Sequence, residues 1–374
     1  MKRRICLLAG QFDVTLSVSN GLAAWSRQHQ SWRIEVLSHP DARNITWLAR
    51  AGYAGLVAVD APLEMQKQLA LTRRPCVCVQ SAAGPLPSIL VDDLAIGRLG
   101  AQHLYDSGYR NMVFYGIDAS WSRQRHDAFA ATLASRSLDC RTNQSQDRWP
   151  DWNSSQDERQ VKGFIKSLPR PVAIMACSDL LARVLADACG ELHLNVPADV
   201  AILGVDNSSS LCESDQVTLS SIDPDLERLG HEAGRLLSAI LSRSPVRQPI
   251  YIPPHGVIQR RSTNAAAFDD VDVARAMRFI HENACDGISV DDISRHLSVS
   301  RRQLERRFAK CVGELPGAQL RKARLTRARE LLADTTLSLT EVALRCGYDH
   351  LSSFSAAFSD YVGVPPSQFR RDVS

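Results

Sequence analysis

The sequence predicts a two-lobed α/β domain followed by an all-α domain that carries two helix-turn-helix motifs. Two observations lead to this fold class. From residue 4 to about residue 262, short apolar runs alternate with helical stretches, and such alternation indicates βαβ units around parallel sheets. Two helix-turn-helix patterns then follow one another within the last hundred residues, at 289–308 and 338–358.

The α/β part contains seven apolar runs that predict buried strands. They lie at 5–9, 34–37, 56–59, 76–79, 112–115, 173–176 and 201–205, and helical patterns occupy 94–106, 126–135 and 180–192. Buried parallel strands are apolar on both faces, so they read as continuous hydrophobic runs. About 250 residues of this pattern are enough for two lobes, each with its own sheet.

The C-terminal part begins each repeat with a capping box. Ser289 is followed three residues later by Asp292, and Ser338 by Glu341, an arrangement in which the hydroxyl and the acid satisfy free backbone N–H groups. Gly347 fits a turn that requires positive φ. Second helices are predicted to start at Ser300 and near Asp349. The predicted core residues on these helices, spaced at i and i+4, are Leu304, Phe308, Phe354 and Phe358.

The second helix of such a motif enters the DNA major groove, so its exposed side chains are candidates for DNA contact. These are Arg301, Arg302, Glu305 and Arg306 in the first repeat, and His350, Leu351, Ser353 and Ala356 in the second. An apolar stripe at 320–332 predicts a linker helix between the repeats. Eleven Lys or Arg and three Asp or Glu lie between 295 and 330, although the whole chain has a net charge of only +3. Concentrated positive charge favours phosphate binding, and a solvated helical face is the alternative.

This region resembles the AraC/XylS class of bacterial transcription regulators. The matching segments, within 274–371, are RLTRARELL at 324–332, VALRCGY at 342–348, FSAAF at 354–358 and YVGVPPSQFR at 361–370. The resemblance implies a double-stranded DNA operator as partner. It places base contacts on Arg302, Glu305, Arg306, Leu351, Ser352, Ser353 and Ala356. Arg can pair with guanine and Glu with cytosine. Ala356 stands where the family often has Arg, so the second repeat is expected to add mainly shape and phosphate contacts.

The α/β part resembles the sugar-sensing domain of LacI/GalR repressors and periplasmic binding proteins of type I. The matching segments are RHDAF at 125–129, MACSD at 175–179, NVPADVAILGVDN at 195–207 and LSSID at 219–223. The resemblance implies lobes that exchange segments at a hinge. We therefore expect a sugar-sensing domain over 1–262, with lobe 1 at about 1–107 and 223–244 and lobe 2 at about 108–222 and 245–262. A linker would occupy 263–272 and the DNA-binding domain 273–374.

A sugar site is expected between the lobes, at the carboxyl ends of the strands. Asp179 and Asp206 each follow a strand and would accept hydrogen bonds from sugar hydroxyls. Arg125 would donate, and Trp121 would stack on the apolar face of the ring. Gln11 and Asp13, after the first strand, would form the opposite wall. The ordinary alternatives are a helix N-cap for Asp179 and a surface ion pair for Arg125.

This pairing of domains resembles the family of bacterial xylose regulators, and the similarity continues through PPHGVIQRRST at 253–263 and AMRFIHENAC at 276–285. The family resemblance implies xylose or a related monosaccharide as effector, and transcription activation through RNA polymerase. A homodimer is expected, because lobes of the LacI type commonly pair. Sugar would close the cleft, reset the spacing of the two DNA-binding modules and so tighten operator binding.

Other classes have less support in the sequence. It lacks GxGxxG, GxxxxGK, GxSxG and HExxH, so an α/β enzyme with a DNA-binding tail is the weaker alternative, and no catalytic residue, cofactor or metal site is predicted. A regulator of another monosaccharide, or a DNA-architectural protein, also stays open. The ten cysteines form no CxxC pair, which favours reduced thiols. No signal peptide or membrane segment is predicted, so we expect a cytoplasmic protein without membrane contact.

Overall fold

The computed structural model describes residues 2–10, 12–29, 32–38, 45–81, 84–146, 155–214, 217–246, 248–264, 270–335 and 337–373. Two six-stranded sheets are followed by a helical domain, so the predicted fold class is confirmed. The strands are β1 Arg4–Leu8, β2 Arg33–Leu37, β3 Gly55–Val59, β4 Cys76–Val79, β5 Ser88–Val91, β6 Met112–Ile117, β7 Cys140–Gln146, β8 Val172–Ala176, β9 Val200–Val205, β10 Ser220–Asp223, β11 Ile250–Ile252 and β12 Gly256–Ile258. Short 3-10 turns occupy Thr46–Ala49 and Arg261–Thr263.

The helices fall into two groups. Those of the α/β domain are α1 Phe12–His29, α2 Leu63–Leu71, α3 Asp93–Asp106, α4 Ser120–Ala134, α5 Ser155–Ser167, α6 Asp179–Glu191, α7 Ser209–Cys212 and α8 Leu226–Leu241. Those of the C-terminal domain are α9 Val271–Asn283, α10 Val290–Leu297, α11 Arg301–Cys311, α12 Pro316–Asp334, α13 Leu339–Arg345, α14 Leu351–Val362 and α15 Pro366–Val373. Among all these described helices, none combines the length and apolar character needed to cross a membrane.

The first lobe is built on a parallel sheet with strand order β11-β5-β4-β3-β1-β2. Its central strands β3 and β4 are buried along their whole length, which explains their continuous apolar sequence. Helices α1 and α8 pack closely together against this lobe. A Cβ on Gly230 would lie 2.1 Å from the Val18 carbonyl oxygen, so the close crossing of the two helices requires glycine there.

The second lobe has the strand order β12-β10-β9-β8-β6-β7, in which only the β10–β12 pair is antiparallel among the pairs described. Helix α3 belongs to this lobe, because it packs on α4 and on strands β8, β10 and β12. Gly97 and Gly100 permit this packing: a Cβ on Gly97 would lie 2.2 Å from the Arg125 carbonyl oxygen, and one on Gly100 would lie 2.4 Å from the Met175 sulfur.

Two of the expected lobe boundaries are therefore wrong. The chain leaves the first sheet at Asp92, directly before α3, and not at about residue 107. The segment 245–262 is also shared between the lobes, because β11 pairs with β5 in the first sheet and β12 with β10 in the second. The lobes are thus joined at Asp92, near residue 224 and at 253–255. A three-residue strand carries too little pattern to be assigned to one sheet from sequence alone.

The C-terminal domain has two small cores that share α12. Leu320 of α12 belongs to the first core, with α9, α10 and α11, and Leu325 to the second, with α13 and α14. Both predicted capping boxes are confirmed, and a third joins Ser300 to Gln303. The four predicted core residues Leu304, Phe308, Phe354 and Phe358 are fully buried, and Gly347 has φ +74°.

Polar contacts join the two domains among the described residues. Lys322 Nζ lies 3.8 Å from Asp106 Oδ2, and Arg110 Nη2 donates to the Cys311 carbonyl at 3.3 Å. Arg329 Nη2 donates to the His255 carbonyl at 3.1 Å, so α12 contacts one of the three lobe crossings. Of the expected linker at 263–272, residues 265–269 lie outside the described part of the chain, while Thr263 is buried in the second lobe and α9 begins at Val271.

Candidate ligand cleft and DNA-binding surface

Acidic side chains follow strands at the carboxyl edge of both sheets. Asp60 comes directly after β3 and Asp206 directly after β9. Both residues have positive φ, +50° and +113°, a conformation that costs energy outside glycine and often occurs at functional sites. The carboxyl ends of parallel strands are where α/β proteins bind ligands. This edge is therefore the candidate cleft, as the sequence predicted for Asp206.

Arg125 on α4 is the fixed cation of the cleft. Only 4% of the residue is exposed, which rules out the alternative of a surface ion pair. Its Nε donates to Asp93 Oδ1 at 2.7 Å and its Nη1 to the Cys177 carbonyl at 2.6 Å. The guanidinium carbon lies 4.8 Å from the centre of the Trp121 ring. A guanidinium has five N–H donors, so within the described part of the chain these two bonds leave donors for a ligand.

Asp206 is a partly buried carboxyl group among other acids. Burial raises its pKa to about 8, and the negative charges of Asp179, Asp93 and Asp60 act in the same direction, while Arg125 opposes them. Near neutral pH the carboxyl is therefore mostly protonated. In that form it can donate one hydrogen bond and accept others, which suits a sugar hydroxyl that does both.

Asp179, a predicted sugar contact, is hydrogen-bonded to other parts of the protein. The residue is fully buried. Its Oδ2 accepts from the Ser208 amide at 2.8 Å and from the Cys212 thiol at 3.2 Å, and its Oδ1 accepts from the Ser221 hydroxyl at 2.6 Å. Burial raises its pKa to about 6, and these hydrogen bonds work against the rise. Its oxygens are occupied by the protein, so Asp179 holds the loop after β9 in place.

The other predicted cleft residues are placed as follows. The N-cap of α6 is Ser178, whose hydroxyl accepts from the Leu181 amide, so the alternative of an Asp179 N-cap is wrong. Trp121 lies beside Arg125 and is half-buried. Asp13 lies near the start of α1, but its side chain is outside the described part of the structure, as is all of Gln11.

Two acids and one network were missed by the sequence analysis. Asp60 could have been found, because it follows a predicted strand just as Asp206 does. Asp93 opens the helix that was assigned to the wrong lobe. The network is tertiary: Arg260 Nη2 donates to Asn207 Oδ1 at 2.9 Å, and Asn207 Nδ2 donates to Asp223 Oδ2 at 3.2 Å. It ties the loop of Asp206 to the lobe crossing near residue 224.

The predicted DNA-binding residues lie on exposed faces of the two second helices. Arg301, Arg302, Arg306, His350, Leu351, Ser352, Ser353 and Ala356 are exposed, and Glu305 is half-buried. Arg301 bonds to Glu305 Oε1 at 2.9 Å and to Asp291 Oδ1 at 3.4 Å. Within the described residues, the side chains of Arg302 and Arg306 form no ion pair. The positive charges of these two exposed side chains are therefore not neutralised by a paired carboxylate in the described part of the chain.

The excess of Lys and Arg between 295 and 330 overstates the number of positive charges that are available to DNA. Arg307 pairs with Asp270 and with Asp272, Lys322 pairs with Glu314 and Asp106, and Arg324 donates to two backbone carbonyls. Several of the counted cations therefore stabilise the domain. Surface ion pairs of this kind contribute little to stability. They nevertheless keep these side chains bound to the protein, so that they are not free to contact DNA.

The comparisons with known proteins agree with both halves of the fold. Residues 101–263 match a periplasmic binding protein-like domain, and residues 293–372 match a helix-turn-helix domain. The xylose operon regulatory protein of Escherichia coli K12 is 32% identical over 292 residues, covering 76% of this chain and 74% of the relative. That of Haemophilus influenzae Rd is 30% identical over the same shares. The solved structure of the xylose-binding transcription activator xylR is 27% identical with a TM-score of 0.63, covering 100% of this chain and 99% of that chain.

Fold and site together define a transcription regulator in which a two-lobed sugar-binding domain precedes a DNA-binding domain with two helix-turn-helix motifs. The chain belongs to the family of xylose operon regulatory proteins. Since this family consists of regulators, the alternative of an α/β enzyme with a DNA-binding tail is wrong.

Proposed function

We propose that this chain activates transcription in response to xylose, which binds between the two lobes. The observation that carries the proposal is the buried Arg125, oriented by Asp93 and Trp121 at the strand edge where Asp206 lies. A planar donor near a neutral carboxyl matches the paired hydroxyls of a sugar. The names of the relatives, xylose operon regulatory proteins and a xylose-binding activator, support xylose as the effector.

In this proposal, Arg125 and Asp206 contact the sugar directly and Trp121 covers one face of the ring. Gln11 and Asp13, which follow the first strand, contact the sugar from the first lobe, and Asp60 joins them there. Asp179 acts indirectly, because it holds the Asp206 loop through the Ser208 amide. Sugar would thus bridge groups of the two lobes and favour the closed cleft.

A movement of the lobes can be transmitted to the DNA-binding domain through a direct hydrogen bond. The crossing at 253–255 moves with the lobes, and its His255 carbonyl accepts a hydrogen bond from Arg329 on α12, the helix that spans both reading units. Arg302, Glu305 and Arg306 would read bases, and α14 would add shape and phosphate contacts. We further propose a cytoplasmic homodimer that binds two half-sites and recruits RNA polymerase, because paired modules raise affinity without new contacts.

The direct test of the effector is calorimetric titration of the full-length protein with D-xylose, L-arabinose, D-ribose and D-glucose. We expect xylose to bind, and Asp206→Ala to weaken that binding by about tenfold or more, since a buried hydrogen-bonding group is removed. Asp199→Ala is the matched control, because Asp199 lies at the opposite end of the same strand, where it accepts from the Asn195 amide. Binding of another sugar alone would replace the effector, and no binding by any of the four would contradict the proposal.

Coupling is tested separately with a DNA duplex that the protein selects from a random-sequence pool. Affinity for this duplex should rise with xylose, and xylose affinity should rise by the same factor with the duplex, because the linkage is reciprocal. Arg329→Gln should reduce this factor while leaving the affinity without sugar nearly unchanged. An unaltered factor in Arg329→Gln would exclude the path through His255, and a factor of one in the unmodified protein would exclude coupling altogether.

A further inference from the structure

The two helix-turn-helix units meet at a junction built from two loops. The loop between α9 and α10 lies against the turn between α13 and α14. A Cβ on Gly347 in this turn would lie 3.2 Å from the carbonyl oxygens of both Ala284 and Cys285. Arg324 of α12 binds the loop between α9 and α10. Its Nε donates to the Ala284 carbonyl at 2.8 Å and its Nη2 to the Ile288 carbonyl at 2.7 Å. The relative position of the two units is thus set here.

Cys285 and Cys346 lie on opposite sides of this junction. Cys285 is in the first loop, and Cys346, the C-cap of α13, directly precedes Gly347, whose Cβ position lies 3.2 Å from the Cys285 carbonyl oxygen. Cys346 is fully buried in the second core, whereas Cys285 is partly exposed. One thiol can therefore meet a solute, and the other is shielded beside it. A reachable thiol beside a second, resolving thiol is the usual arrangement of redox-sensitive cysteines.

The surroundings of Cys285 favour its reactive form. The hydrogen bond from Cys346 lowers the pKa of Cys285 to about 7, helped by the positive charges of Arg327 and Arg324, while burial and Asp286 act in the opposite direction. About half of this thiol is then ionised at neutral pH, and the thiolate is the nucleophile. Burial does the reverse at Cys177, whose pKa it raises to about 11.

We propose that Cys285 and Cys346 form a redox modification site that a hydroperoxide converts to an intramolecular disulfide. The Cys285 thiolate attacks one peroxide oxygen, the O–O bond breaks, and protonation releases water from hydrogen peroxide or an alcohol from an organic peroxide. This leaves a sulfenic acid on Cys285. The Cys346 sulfur then attacks the Cys285 sulfur, the S–O bond breaks, and a water molecule leaves with the thiol proton. The two thiols lose two electrons, which reduce the peroxide, and a dithiol reverses the change.

The disulfide changes the surface formed by α11 and α14, because a disulfide is shorter than any contact between two unbonded sulfur atoms. An S–S bond is about 2.05 Å long, so the loop and the turn must approach each other. Cys346 lies only a few residues before His350, the N-cap of α14, and the second reading helix shifts relative to the first. When α11 and α14 are displaced from their original spacing, the two helices fit the operator less well. This loss of affinity rests on the proposed reading roles of α11 and α14, whereas formation of the disulfide does not.

The test exposes the reduced full-length protein to a small molar excess of hydrogen peroxide. Mass spectrometry of a non-reduced tryptic digest should find the peptides of Cys285 and Cys346 joined. Fluorescence anisotropy with the selected duplex should show affinity reduced by about fivefold or more, and dithiothreitol should restore it. Cys285→Ser should keep its affinity under peroxide. Cys140→Ser, which removes another partly exposed thiol, should behave as the unmodified protein.

A second variant separates chemistry from folding. Cys346→Ala keeps a small apolar group in the core, and in this protein peroxide should leave a sulfenic acid on Cys285 that dimedone labels, with no joined peptide. Absence of the joined peptide in the unmodified protein would overturn the site. A joined peptide with unchanged duplex affinity would retain the disulfide and overturn its effect on DNA binding. A loss of affinity that persists in Cys285→Ser would assign the effect to another residue.

Discussion

Replacement of Asp206 by Asn should flatten the pH dependence of the stability of the sugar-binding domain. In the folded protein burial raises the pKa of Asp206 to about 8, whereas the ordinary value is 3.8. Between these two values the folded state binds a proton that the unfolded state has released. Stability therefore falls as the pH rises through this window. Asn resembles the protonated acid in size and in hydrogen bonding, but it has no proton to lose.

The size of the effect follows from the two pKa values. Within the window, each pH unit lowers the unfolding free energy by up to about 1.4 kcal/mol through this one group. From pH 5 to pH 7, Asp206 then accounts for roughly 2 to 3 kcal/mol. Burial also raises the pKa of Asp179, to about 6, but Asp179 is present in both proteins, so it cancels in the comparison. The two proteins should be equally stable only below about pH 4. The Asn variant should be the more stable one at pH 5, and its advantage should grow by roughly 2 to 3 kcal/mol up to pH 7.

Urea unfolding followed by tryptophan fluorescence measures this difference in the full-length protein. All six tryptophans lie between residues 25 and 152, so the signal reports the α/β domain and not the helical domain. Unfolding free energies of both proteins at pH 5, 6 and 7, without sugar, give the two slopes. Parallel slopes would refute the reasoning, because they would mean that Asp206 is already ionised in the folded protein at pH 5.

Three further outcomes are expected. Gly97→Val should weaken xylose binding and lower the melting temperature, because its side chain would meet the Arg125 carbonyl oxygen; unchanged calorimetric affinity would show that α3 and α4 can separate freely. Ser338→Ala should destabilise the helical domain by about 1 kcal/mol, since it removes the capping box with Glu341. Urea unfolding followed by the helical circular dichroism signal measures this change in unfolding free energy. Arg306→Ala should cost about 1 to 3 kcal/mol of duplex affinity, and equal loss on all sequences would exclude base reading.

The sequence alone predicted the fold class of both domains and the local structure of the two helix-turn-helix motifs. The capping boxes of α10 and α13, the glycine turn at Gly347 and the four buried residues on α11 and α14 were predicted correctly. These features depend on residues three to five positions apart, and short-range chemistry decides them. Asp206 was placed at the strand edge by the same kind of local pattern, a polar residue at the end of an apolar run.

Only the tertiary structure decided which lobe contains α3 and which contains β11. It also decided which carboxyl groups are hydrogen-bonded within the protein. Asp179 and Asp206 look alike in sequence, since each follows a strand. Three hydrogen bonds from distant segments occupy Asp179, whereas the carboxyl of Asp206 lies near Arg125 and has no hydrogen bond of this kind among the described residues. The approach of the Cys285 loop to the turn after Cys346 likewise joins residues far apart in the chain. Partners of this kind are set by how sheets and helices pack, and that information is absent from any short stretch of sequence.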